Sequence, residues 1–256
     1  MATTIDLTGQ RILVTGASRG IGAALARHLM DSGATVCLHY NRQKSAAEVI
    51  LKGNTTNSCM AQADLADPAA CTKLFYEAVM KMGGLDGLVN NAGVAYLSPI
   101  AAPDADWLED WNRTMAVNLN AAAILSRLAI LHFQTNGGIG GRIVHIASRA
   151  SFRGDTPEYL AYAASKAGMV ALHRSIARGF GKRQIKSFLI APGFVRTDMA
   201  QDFMDEYGED YALNDIALPK LTEPADLAPM VTLLMSGLAD HATGCTIDVN
   251  AGSYVH

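Results

Sequence analysis

The chain has 256 residues, half of them hydrophobic, and a formal net charge of −3. That length suits one α/β domain with a sizeable core, and the balance excludes a disordered chain or a general polyanion binder. Lysine and arginine form no cluster marking a nucleic-acid face, no signal peptide opens the chain, and no apolar run reads as long enough to span a bilayer. A soluble cytoplasmic protein with neither a nucleic-acid nor a membrane partner is therefore expected. Cys37, Cys59, Cys71 and Cys245 lack zinc spacing, and Cys37 and Cys245 fall in strand-like runs, as buried thiols of a reducing compartment would.

In chain order, Arg11-Ile12-Leu13-Val14-Thr15 reads as a short buried strand. It runs into Gly16-Ala17-Ser18-Arg19-Gly20-Ile21-Gly22, after which Leu25, Leu29 and Met30 take helical spacing up to Gly33. Strand, glycine-rich turn and helix make a pyrophosphate cradle, because glycine lets the backbone approach phosphate and the helix start offers free N–H groups. The spacing is G-x-x-x-G-x-G rather than G-x-G-x-x-G. The second strand, 35–40, ends at Tyr40, followed by Asn41 and Arg42. Folds that prefer NAD place a carboxylate at that end to hold the ribose hydroxyls. Tyr40 offers none, while Arg42 and Arg19 could grip a 2′-phosphate. Arg42 alone equally suits a solvated loop.

Further strands are predicted near 58–62, 85–90, 141–147, 185–191 and 245–249, and helices near 21–32, 44–52, 68–82, 105–134, 161–181 and 224–237. The alternation predicts a Rossmann-type doubly wound parallel sheet of about seven strands, with helices on both faces. We read 1–256 as one dinucleotide-binding domain with its crevice at the carboxyl ends of the strands and a substrate lid at about 194–220.

Chemistry-bearing residues fall at those ends. Asn90, Asn91, Ala92 and Gly93 follow the fourth strand, Ser148 the fifth, and Pro192 and Gly193 the sixth, with Thr197 soon after. Asn118 lies in the long helix 105–134. Tyr162 and Lys166, four residues apart, share one helix face. A lysine charge about 4 Å from a phenol, at an effective dielectric of ~20, supplies roughly 4 kcal/mol, or about three pKa units. That would bring a phenol of pKa ~10 toward neutrality, where acid–base catalysis works. Alone, Tyr-x-x-x-Lys is an ordinary exposed helix face, Ser148 a strand-end hydroxyl satisfying its own turn, and Asn118 a packing amide.

The ordered set resembles the short-chain dehydrogenase/reductase family, over essentially the whole chain. The resemblance implies that Tyr162 is the catalytic acid–base and that Lys166 lowers its pKa and binds the nicotinamide ribose. It implies that Ser148 hydrogen-bonds the substrate oxygen and that Asn118 holds a water linking the lysine to solvent. Asp64 and Leu65 match the adenine-contacting pair, and Asn91, Ala92 and Gly93 the segment beside the adenosine ribose. Gly16, Ser18, Arg19, Gly20, Ile21, Gly22, Tyr40, Asn41, Arg42, Pro192, Gly193, Val195 and Thr197 complete the implied cofactor set. Tyr159 lacks the lysine partner. Ser148 and Tyr162 are fourteen positions apart, about one more than the family pattern, which leaves Arg149 and Ser151 unplaced.

The implied activity is an NADP(H)-dependent reductase or dehydrogenase of a small carbonyl or alcohol, nearest in type to 3-oxoacyl-carrier-protein reductases. NAD(H)-dependent alcohol or polyol dehydrogenases and a catalytically silent dinucleotide sensor are the alternatives. Tyr96, Phe152, Phe194 and Met199, then Phe203, Met204, Tyr207 and Tyr211, would line a partly apolar pocket, although the run suits helix packing equally. Few basic groups beyond Arg127 mark the end of helix 105–134 for a carrier protein. The resemblance also implies a homo-oligomer, a tetramer or dimer pairing helices 105–134 and 161–181, which the stripe Met115, Leu119, Ala122, Ile124 and Leu128 permits.

Overall fold

The computed structural model describes residues 5–54, 56–135, 140–198, 200 and 209–255. Within them, β1 (Arg11–Val14), β2 (Thr35–Tyr40), β3 (Cys59–Gln62), β4 (Gly87–Asn90), β5 (Gly141–Ile146), β6 (Ile185–Pro192) and β7 (Thr246–Val249) form one parallel sheet in the order β3-β2-β1-β4-β5-β6-β7. The chain order reverses between β1 and β4, so the crevice beyond their carboxyl ends is where this architecture takes a ligand. The expected sheet is therefore present, with strand ends shifted by one or two residues. The fourth strand starts at Gly87 rather than 85 because Asp86 is drawn into a bidentate pair with Arg11, at 2.7 and 2.9 Å.

One face of the sheet is covered by α1 (Gly20–Asp31), α2 (Lys44–Leu51) and α9 (Pro224–Ser236), through Leu25, Leu29, Ile50, Leu227 and Val231. The other is covered by α3 (Pro68–Met82), α5 (Ala121–Thr135) and α7 (Leu160–Phe180), through Leu74, Phe75, Leu125, Phe133 and Ile176. Helix ends follow local chemistry. Pro68 opens α3 behind Asp67, whose carboxylate accepts the Ala69 N–H at 2.8 Å, and Gly83 closes it at φ 72°.

The long helix predicted at 105–134 is continuous but not uniform. α4 (Asp104–Met115) passes into α5 through a wide π turn, Ala116–Asn120, with an Ala121 N–H to Ala116 carbonyl bond. The stretch 104–135 is long and apolar enough to cross a bilayer by composition, contrary to the sequence expectation, yet half of its most apolar window is buried inside the protein. Short helices not foreseen among the described residues include α6 (Ala150–Arg153), a 3-10 turn at Pro157–Tyr159, and α8 (Glu209–Asn214). Of the expected lid, Met199, Phe203, Met204 and Tyr207 lie outside the described residues.

Candidate active site and cofactor crevice

The turn between β1 and α1 is built for close approach. Gly16 and Gly20 hold φ of +64° and +52°, and a Cβ on Gly22 would stand 2.2 Å from the Gly16 carbonyl oxygen. A Cβ on Gly16 would meet Ala92 Cα at 2.9 Å, and one on Gly20 would meet Thr197 at 3.2 Å. The segments after β4 and β6 thus press on the turn. Asn91 Nδ2 donates to the carbonyls of Thr15 (2.8 Å) and Gly16 (3.2 Å), while Thr15 Oγ1 accepts the Asn91 and Ala92 N–H groups. Asn91 therefore braces the turn with its side chain. The α1 N-terminus carries no side-chain cap, so its N–H groups face the crevice unclaimed by capping.

His39, which the sequence reading passed over, locks the turn from below. Its Nδ1 accepts the Gly16 N–H at 3.0 Å, so Nε2 carries the proton and donates to the Ala63 carbonyl at 3.2 Å. Burial holds its pKa down at about 4, with the Ala63 bond and Asp64 working against that. The signal was a lone polar residue in an otherwise apolar strand. Tyr40 is half-buried at the strand end, and Asn41 and Arg42 are exposed beyond it. Arg19 is exposed as well, but its Nη1 pairs with Asp198 at 3.2 Å. Asp64 caps its own turn through the Ala66 N–H (3.0 Å) and meets Arg113 at 3.5 Å. Leu65 and Val195 turn their side chains into the core, leaving only backbone for a ligand. Ile21 is half-buried and packs on the core behind the turn, and Ser18 is half-buried within it. Gly193 follows Pro192 tightly packed, since a Cβ there would lie 2.9 Å from Asn250 Cα.

Across the crevice, Ser148, Tyr162, Lys166 and Asn118 are brought together. The Ser148 hydroxyl accepts the Ala150 N–H at 3.1 Å and is near enough to the Tyr162 phenol to act on its ionisation. Lys166, buried, donates from Nζ to the Ile146 carbonyl at 2.8 Å. The ammonium also lies over the tyrosine ring, 5.8 Å from its centroid. Accordingly desolvation pushes the Tyr162 phenol up from its ordinary value, the Ser148 bond pulls it back, and the Asp155 charge adds to the rise. Burial brings Lys166 down to about 8. Gly93 faces the ammonium, with a Cβ there only 3.3 Å from Nζ.

Asn118 occupies the π turn, a local geometry common at functional sites. Both of its amide protons are used. Oδ1 accepts the Val94 N–H (2.8 Å), and Nδ2 donates to the Val94 carbonyl (2.9 Å) and to Ser165 Oγ (3.0 Å). It clamps the loop after β4 onto the helix that carries Tyr162 and Lys166.

On the substrate side, Arg149 directly precedes α6. Its guanidinium, buried, donates to Asp215 just after α8 and sits 4.5 Å over the Phe194 ring. Arg153 reaches the same carboxylate at 3.4 Å. Phe152 stacks on Tyr254 of the C-terminal segment, centroids 6.1 Å apart. Tyr96 instead accepts a bond from Arg113 Nε at 3.2 Å. Asp155, exposed on the loop after α6, is close enough for its charge to act on Tyr162. Neither Asp215 nor Tyr254 carried any sequence signal.

A family profile described as enoyl-(acyl carrier protein) reductase matches residues 16–254. Among curated relatives, versicolorin reductase 1 of Aspergillus parasiticus is 32% identical, covering 99% of this chain and 100% of that protein. A 3-oxoacyl-[acyl-carrier-protein] reductase of Rickettsia felis is 36% identical, over 97% of this chain and 98% of its own. Among solved structures, a short-chain dehydrogenase from Burkholderia cenocepacia in complex with NADP superposes with a TM-score of 0.88 at 32% identity, covering 96% of this chain and 98% of that one. A blue fluorescent protein from a metagenomic library, in complex with NADPH, superposes at 0.86 and 32% identity, covering 98% and 100%.

Proposed function

The chain belongs to the short-chain dehydrogenase/reductase family, and we propose that it moves a hydride between NADP(H) and a small carbonyl or alcohol compound, with Tyr162 as acid–base. One observation carries this reading: Ser148 acts on the Tyr162 phenol, whose ring lies 5.8 Å from the buried Lys166 ammonium, across the crevice from a glycine turn with no room for a Cβ at Gly22. That turn fits a dinucleotide, because glycine at 22 lets the turn close on itself while the uncapped N–H groups of α1 stay free for a pyrophosphate. Bound NADP(H) supplies or takes the hydride; the protein supplies proton, charge and position.

In reduction, Ser148 steadies the developing oxyanion while the Tyr162 O–H is transferred to it. Tyr162 needs help to ionise, since desolvation by its surroundings opposes it. The Ser148 bond supplies part of that help. Lys166, protonated at neutral pH, would supply the rest while holding the nicotinamide ribose. Gly16, Gly20 and Gly22 would receive the pyrophosphate, Asp64 and the backbone of Leu65 the adenine, and Asn41, Arg42 and a swung-out Arg19 a 2′-phosphate. The Arg19–Asp198 pair is exposed, so releasing it costs under about 1 kcal/mol. The neighbours crystallised with NADP and NADPH support the same cofactor here.

A partly apolar substrate fits the wall made by Phe152, Tyr254 and Phe194. A keto-acyl thioester is the second reading, favoured by the 36% identity to 3-oxoacyl-[acyl-carrier-protein] reductases. We also infer a cytoplasmic homo-oligomer, supported by four free thiols and by Leu131, 47% exposed on the α5 face beside α7. Met115, Leu119 and Ile124 are half-buried and Ala122 and Leu128 buried, so the expected stripe serves largely as core. Light scattering giving a clean monomer would remove that inference.

The test is a turnover screen across ketones, polyols, keto-acyl thioesters and steroids with both cofactors. We expect reduction of small free ketones, with NADPH preferred at least tenfold in kcat/KM. Equal or better use of NADH would overturn the cofactor reading. Faster thioester reduction would select the second substrate reading, and no turnover across the panel would leave a silent dinucleotide sensor.

A further inference from the structure

Cys37 and Cys59 are register partners on the neighbouring parallel strands β2 and β3. Partners in a parallel ladder point to the same face, and both side chains join the layer beneath α3. They are free thiols, and each acts on the other's ionisation. Adjacent strands run about 4.8 Å apart, inside the ~4.4–6.8 Å Cα spacing that disulfides span.

The two thiols differ in the way a redox pair requires. β3 is the edge strand of the sheet, and Cys59 on it is half-buried, whereas Cys37 is completely buried. Lys81, at the end of α3, donates to the Met60 carbonyl at 2.8 Å and pairs with Glu77 at 2.7 Å, which sets its ammonium next to Cys59. The Cys37 hydrogen bond and the Lys81 charge draw the Cys59 thiol down, while its bond to Cys59 and burial push Cys37 up. Thiolate character and access together select which cysteine a peroxide meets first. The remaining two are placed otherwise: Cys71 turns its sulfur to the Leu65 carbonyl at 3.5 Å, and Cys245 adjoins β7 at the opposite edge of the sheet.

We propose that Cys37 and Cys59 are a reversible redox site, in which a hydroperoxide oxidises Cys59 and Cys37 then closes a cross-strand disulfide. The Cys59 thiolate attacks the peroxide; an S–O bond forms, the O–O bond breaks, and the departing oxygen takes a proton to leave as water or alcohol. The Cys37 sulfur then gives up its proton and attacks the sulfenic sulfur. The S–S bond forms, the S–O bond breaks, and water departs. The two thiols lose two electrons, which reduce the peroxide. Parallel strands hold paired Cβ atoms side by side near the strand spacing rather than at the ~3.8 Å a relaxed disulfide adopts. The bond is therefore strained, and glutathione reduces it readily.

The test treats the full-length protein with hydrogen peroxide, alkylates it under denaturing conditions, and maps peptides by mass spectrometry. We expect two of the four thiols to disappear, a peptide joining Cys37 to Cys59, and full recovery with glutathione. Cys59→Ser, a change at a half-buried edge position, should keep its remaining thiols at the same dose. A link between any other pair, four intact thiols, or sulfinic acid on Cys59 without a link would each overturn the proposal. So would a Cys37–Cys59 link that glutathione leaves intact.

Discussion

The two sides of the crevice are held by different means. The cofactor side is fixed by short bonds to backbone: His39 and Asn91 grip the Gly16 peptide from two directions, and Thr15 gathers two N–H groups after β4. The substrate side is fixed by long side chains meeting across the chain, Arg149 with Asp215 and Phe152 with Tyr254. Backbone geometry tolerates few residue types, so the first side has a recognisable sequence. Many ion pairs or stacked rings could close the second, so its sequence is free. If that contrast is right, the cofactor side should fail sharply when changed and the substrate side gradually.

The largest effect should come where the two sides meet. Tyr162→Phe removes the hydroxyl that faces Ser148 from α7, and we expect kcat to fall by at least about two orders of magnitude with cofactor affinity retained. Tyr159→Phe, at the helix start, should be nearly silent. Steady-state kinetics with cofactor titration decides it: a dead Tyr159 variant beside an active Tyr162 variant would move the catalytic centre by one turn.

Next in size is the brace below the glycine turn. His39 is held neutral with a folded pKa of about 4, below the ~6.5 of an unfolded histidine. Its contribution is therefore complete above pH ~6.5 and is lost as pH falls toward 4, where it levels off. The gap amounts to roughly 3 kcal/mol. Buried His145 and His173, at about 3 and about 4, add their own losses in the same direction. His39→Gln keeps an acceptor and a donor but cannot titrate in this window. Urea denaturation should then show the loss between pH 7 and 4.5 shrinking by about 2 kcal/mol in the variant. An unchanged slope would mean that His39 is protonated in the folded protein and does not accept the Gly16 N–H.

The sheet, its strand order and the glycine turn were legible because apolar runs and glycine spacing report backbone demands directly. The catalytic set was legible as an order of residue types, but its electrostatics were not. Helical spacing put Lys166 on the same face as Tyr162, and only packing showed that its ammonium turns to the Ile146 carbonyl. His39 was hidden because a buried polar residue declares itself only when its partners, Gly16 and Ala63, are seen. Asp215 was hidden for a different reason: its partner lies 66 residues earlier, and an exposed-looking carboxylate carries no periodic signature.

Cofactor choice is a smaller lever on the same side. Replacing Tyr40 with Asp and Arg42 with Ser adds a ribose acceptor and removes the exposed cation. We expect the NADPH preference to fall by about tenfold, which is about 1.4 kcal/mol. An unaltered preference, measured with one shared substrate, would shift phosphate recognition to Arg19 alone.

The smallest effect should come from the substrate side. Arg149 is almost wholly buried, while Asp215 keeps about a third of its side chain in solvent. The pair is thus only partly withdrawn from water, and Arg153 also reaches Asp215, so the site keeps a second contact. Asp215→Asn retains an oxygen acceptor for both guanidiniums and loses the charge, a cost on the order of 1 kcal/mol. The loss should fall on substrate binding, because Asp215 follows α8 and Arg149 adjoins Ser148. KM for the carbonyl should rise about fivefold, while kcat and cofactor affinity stay within about twofold. A collapse of kcat equal to that of Tyr162→Phe would show that the ion pair positions the reacting hydroxyls themselves, and the two sides of the crevice would then be one rigid unit.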